Sequence, residues 1–160
     1  MERPAYVELN FRPNVTLVSV VRRFVSDFYS KALGDADGTS RVALATHELL
    51  ENAVKYSKDG ETTIRIQVSV EPGPKEVLIQ LTNRAEAKNV AAIREILDGV
   101  ARAEDAFTYY SQLIAAKAKR KEAGGLGLAR ICAEGEMKLS FKQLEGDLTL
   151  IEASTSVGGQ

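Results

Sequence analysis

What this chain holds little of narrows its chemistry before any motif is considered. Among its 160 residues, cysteine occurs once, as Cys132, and histidine once, as His47. A single thiol forms no intramolecular disulfide and no cysteine zinc site. One imidazole cannot supply a two-histidine zinc centre, although His47-Glu48 reads like the opening of an HExxH helix whose closing place is taken here by Glu51. Serine–histidine nucleophilic catalysis has no pattern around that lone ring. No apolar run approaches the roughly 20 residues that span a bilayer. Met1 to Asn10 lacks a basic start followed by an apolar block, so no secretory signal is expected. Neither sign of charge dominates: 21 Lys and Arg face 22 Asp and Glu, a formal net charge of -1. Nothing in that balance draws the chain to nucleic acid or to an anionic membrane. The expectation is a cytoplasmic protein with neither as partner.

What is present is the mixture of a folded protein. Apolar residues make up 44% and charged residues 27% of the chain, enough to bury a core within one domain spanning 1–160. Ala5 to Phe11 alternates as an opening strand, stopped by Pro13. Asn14 caps a helix running to about Leu33, with Leu17, Val18, Val21, Phe24, Val25 and Phe28 at helical spacing. Gly34 to Gly38 reads as a link, and Thr39 or Ser40 as the cap of a second helix ending near Ser57 to Gly60. Ile64, Ile66, Val68 and Val70 then alternate with polar residues, Pro72-Gly73-Pro74 turns the chain, and Glu76 to Asn83 returns as the other arm of a hairpin.

A helical middle follows. Val90 to Leu97 is interrupted by Gly99, and Glu104 to Lys121 reads as one longer helix whose basic end suits the helix dipole. Leu126 to Glu134 is a helix closed by Gly135, and Met137 to Phe141 with Leu148 to Thr155 forms a second hairpin about Glu145-Gly146-Asp147. Strands with one wet face, in this order, predict an α+β fold: a two-layer sandwich with a mixed, mostly antiparallel sheet and helices on one face.

The second helix carries the chemistry. Val42, Ala45, Leu49, Ala53 and Tyr56 form one apolar stripe at about 100° per residue. Glu48 and Asn52 lie on its shoulder, four apart and pointing the same way, while His47, Glu51 and Lys55 cluster on the far side towards water. A carboxylate and an amide beside an apolar seam need partners, which makes them either part-exposed helix residues or a site. Further on, Gly125 and Gly127 lack a Cβ, so the backbone opening the helix at Leu126 can approach an anion.

Glu48-x-x-x-Asn52-Ala53 with Lys55-Tyr56, and the later Gly124-Gly125-Leu126-Gly127-Leu128, resemble the N-box and G2 box of the GHKL (Bergerat-fold) ATP-binding superfamily. The resemblance spans about residues 5 to 155 and, for a free-standing chain, is greatest to anti-sigma-factor serine kinases and SiaB-type partner-switch kinases. It implies ATP and Mg²⁺ as cofactors, Asn52 as the Mg²⁺ ligand and Glu48 as the group that orients or deprotonates the nucleophile. It also implies nucleotide contacts from Lys55, Asn83, Gly124, Gly125, Leu126, Gly127 and Leu128, and a small antagonist-like regulatory protein as the phosphorylated partner. Relatives dimerise through the sheet edge or first helix, and the Val18, Val21, Val25 stripe suits either a homodimer or intramolecular burial.

One place departs from the superfamily pattern. Where an Asp-x-Gly should read the adenine amino group, this chain has Asn83-Arg84-Ala85, and no glycine lies between Gly73 and Gly99. Asn83 keeps an acceptor oxygen without its charge. Two functions therefore stay open: a kinase phosphorylating Ser or Thr of its partner, and a non-catalytic binding module whose nucleotide pocket has decayed.

Overall fold

The structure, a computed structural model, describes residues 5–69, 73–120 and 126–158. Strand β1 (Ala5–Phe11) leads into α1 (Val15–Leu33), whose first turn is capped by Asn14 accepting from the Leu17 amide at 2.9 Å. Helix α2 (Ala36–Tyr56) runs directly into β2 (Ser57–Val68), which pairs with β3 (Lys75–Ala85). Helices α3 (Ala87–Arg102), α4 (Ala106–Arg120) and α5 (Leu126–Ala133) follow, then β4 (Lys138–Gln143) and β5 (Leu148–Val157).

The strands form one sheet in the order β1-β2-β3-β5-β4, with all four pairings antiparallel. Alternation settles which face is covered. Ile64, Ile66 and Val68 of β2, Val77, Ile79 and Leu81 of β3, and Ile151 and Ala153 of β5 are buried under the helices, while the residues between them stay partly exposed. The expected α+β sandwich is what forms. Helix α2 lies on β2 and β3 and touches both α1 and α5, so it is the structural centre. Val42, Ala45, Leu49 and Ala53 are fully buried along it. The Val18, Val21, Val25 stripe of α1 is spent on this same core; the apolar side chains α1 leaves exposed are Val15, Leu17, Val20 and Phe24. Among the described residues no helix is long and apolar enough to cross a membrane.

Several boundaries differ from the sequence reading. Helix α2 starts at Ala36, not after Gly38, because Asp35 is the cap and its carboxylate accepts from the Gly38 amide at 3.1 Å. Gly38 sits inside the helix because a Cβ there would strike Val157 of β5. Thr39, freed from capping, donates to the Asp35 carbonyl at 2.7 Å. Strand β2 begins at Ser57 and absorbs the expected turn through a register shift between Ser57 and Thr62, with Gly60 at φ 81°. Helix α3 passes through Gly99 without a break, since that glycine is where the Tyr109 ring of α4 packs against it. The expected strand residue Val70, Pro72 of the turn and Lys121 of the basic helix end lie outside the described residues.

Candidate functional site

The site is built on the α2 to α5 contact. Glu48 is only 8% exposed, with its neighbours on the helix committed to the core. Its Oε1 accepts from Arg130 Nη1 of α5 at 3.0 Å. Its Oε2 lies against Gly127: a Cβ built on that glycine would stand 2.5 Å from the oxygen. The absent side chain is what lets the carboxylate reach the first turn of α5, where unpaired amides and the positive end of the helix dipole gather. Asn52, one turn after Glu48, is half-buried. The side-chain oxygen of Asn52 is a hard donor of the type Mg²⁺ takes, so that residue suits the ion.

Arg130 does not stop at Glu48. Its Nε donates to Glu134 Oε2 at 2.6 Å, so one guanidinium spans two carboxylates. Those partners, Glu134 first, raise its affinity for its proton. Tyr110 of α4 lies close enough to feel the same charges. Burial first, then Glu134, push its hydroxyl up, which keeps the phenol neutral.

The other expected residues divide. Leu126 is half-buried, and Leu128 is a core residue at the start of α5. Gly124 and Gly125 lie outside the described residues. Lys55 is exposed on α2. Asn83 is buried near the end of β3, level with Thr62 of β2 and Thr149 of β5, and its Oδ1 accepts from the Thr149 hydroxyl at 3.1 Å. It also borders a cavity of about 410 Å³ at the end of the sheet that neither Glu48, Asn52 nor Gly127 lines.

His47 corrects the picture of a water-facing cluster. It is 20% exposed, with Nε2 at 3.2 Å from Glu51 Oε1, and its buried Nδ1 has no hydrogen-bond partner among the described residues. His47, Glu48 and Glu51 each bring a ligand atom within 4.8 Å of one another, but Arg130 already holds Glu48 and His47 already holds Glu51. Arg130, Glu134, Tyr110 and Thr149 did not emerge from the motif reading. A signal existed for two of them: Arg130 follows Gly127 by three and precedes Glu134 by four, which puts all three along one side of α5.

Comparisons with known proteins bear on the family and the fold. The family model described as Histidine kinase-like ATPase domain matches residues 11–133. No curated protein matches the chain. Among solved structures, a chain in the crystal structure of the SiaB-SiaC complex from Pseudomonas aeruginosa superposes with a TM-score of 0.64 at 14% identity, covering 97% of this chain and 91% of that one. At that identity the likeness is one of fold.

Proposed function

The chain belongs to the histidine kinase-like ATPase domain family, and from that premise we propose that it binds ATP with Mg²⁺ and transfers the γ-phosphate to a Ser or Thr hydroxyl of a small regulatory protein. The observation that carries this reading is the Glu48 carboxylate, buried on α2 with Oε2 against the Gly127 backbone. Asn52 would hold Mg²⁺, which when bound neutralises phosphate charge. Lys55 supplies a further cation on the same helix, and Gly124, Gly125 and Gly127 supply backbone that can approach phosphate oxygens.

In the transfer, the acceptor hydroxyl oxygen bonds to the γ-phosphorus while the bond from that phosphorus to the β–γ bridging oxygen breaks and ADP leaves. The hydroxyl proton passes to Oε2 of Glu48, the oxygen not held by Arg130. The partner class is supported by the fold shared with the SiaB-SiaC complex, and the cytoplasm is the compartment where ATP and such a partner meet. Should the chain pair with itself through α1, Leu17, Val20 and Phe24 are the side chains open to that contact.

Calorimetry with ATP and Mg²⁺ tests the site. Saturable binding is expected for the natural chain and is expected to be lost in Asn52→Ala. Glu48→Gln should bind nucleotide yet lose at least about a hundredfold in turnover; unchanged turnover would remove Glu48 from the role of base. The second reading, a binding module without catalysis, is favoured by Asn83 standing where the family carries a charged acceptor. No heat at millimolar ATP would establish it over the first.

A further inference from the structure

We propose that Arg130 is a positioning residue for Glu48: by holding Oε1, it fixes the carboxylate so that Oε2 is presented at the Gly127 backbone. The inference rests on Glu48 being the base, as proposed above. A glutamate has three rotatable bonds, and on α2 nothing else ties this one down, because Arg130 provides the one hydrogen bond its carboxylate makes among the described residues. Without that bond the carboxylate could swing through several rotamers, and its free oxygen would face α5 only part of the time.

Glu134 completes the device. A guanidinium bound to Glu48 alone would hold the carboxylate firmly but would offset its charge completely. Sharing Arg130 with Glu134 leaves the trio one net negative charge, so Glu48 is oriented without being fully neutralised. The fork geometry is what permits this: Nη1 serves one carboxylate and Nε the other, which a lysine ammonium cannot match. Among the described residues, the titratable groups placed near Glu48 include Tyr110 on α4, which stays neutral, and His47 and Glu51 on α2, which pair with each other. The geometry therefore separates two jobs on one side chain, anchoring through Oε1 and proton acceptance through Oε2.

The test uses the full chain with MgATP, reading nucleotide affinity by calorimetry and, with water in the place of the acceptor hydroxyl, single-turnover hydrolysis of ATP to ADP and phosphate. Arg130→Gln is expected to leave ATP affinity within about threefold and to lower turnover by about thirtyfold, a change in kcat rather than KM. Arg130→Lys should recover part of the loss. Glu134→Gln changes a more exposed residue that does not touch Glu48, so it tests the proposal even if Arg130→Gln fails to fold; about a fivefold fall in turnover is expected. Turnover within about twofold of the natural chain in every variant that folds would overturn the proposal while leaving the kinase reading intact. A natural chain that neither binds nor converts ATP would instead overturn the kinase reading, and this role for Arg130 with it.

Discussion

Asn83 carries an amide where a carboxylate would carry a full charge, and the surroundings decide what that difference is worth. The side chain is 7% exposed and its Oδ1 already accepts from Thr149. An aspartate there would be largely buried with one hydroxyl donor to face, so Asn83→Asp should lower the stability of the nucleotide-free protein by about 1–3 kcal/mol. With ATP bound, the adenine amino group would add a second donor to a charged acceptor, and affinity should rise about tenfold. Melting without nucleotide and calorimetry with it check both signs, and unchanged ATP affinity would mean the base is not read at Asn83. Side chains such as Glu48 and Asn52 were legible because polar residues at helical spacing beside an apolar stripe are uncommon. Arg130 was not legible, because an arginine on a short helix reads as ordinary surface until its partner 82 positions away is known.

At the scale of elements, what decided each boundary was contact between distant pieces. Gly38 reads as part of a link and Gly99 as an interruption, yet each lies within a helix that a second piece of chain approaches closely, Val157 and Tyr109 respectively, just as Glu48 approaches Gly127. Local propensity reads Gly38 and Gly99 as breakers; tertiary packing reveals them as places of close approach. Gly135 is different, for there the neighbour is backbone. A Cβ would stand 2.5 Å from the Ile131 carbonyl oxygen in the last turn of α5, and that oxygen cannot move without shifting the helix that carries Gly127 and Arg130. Gly135→Ala is therefore expected to cost about 1–3 kcal/mol. Because α5 moves, turnover should fall before the protein melts, which activity measured well below the melting temperature would reveal; a variant as stable and as active as the natural chain would show that α5 tolerates the shift.

Across the whole molecule, the amphipathic strands made the two-layer fold readable, since alternation specifies one covered face. The strand order was not readable: β3 lies beside β5 only because three helices return the chain across the covered face, and no local pattern encodes that return. One charged cluster helps to close the sheet that results. Asp147, in the turn between β4 and β5, accepts from Arg84 of β3 at 2.7 Å and from Lys58 of β2 at 3.1 Å. Three neighbouring parts of the sheet thus meet at one carboxylate. Arg84 first, and Lys58 next, hold it below the usual carboxylate range. Its folded pKa being lower than its unfolded one, near 3.9, the stabilisation is fully present above that pH and is lost as pH falls through the folded value. Asp147→Asn should therefore melt lower than the natural chain at pH 7. The gap should narrow progressively below about pH 4 and close once the carboxyl is protonated in both states. High salt at pH 7 should shrink it as well, since all three side chains are at least partly exposed. A gap that persists unchanged at pH 2 would mean that the turn is held by the shape of Asp147 and not by its charge.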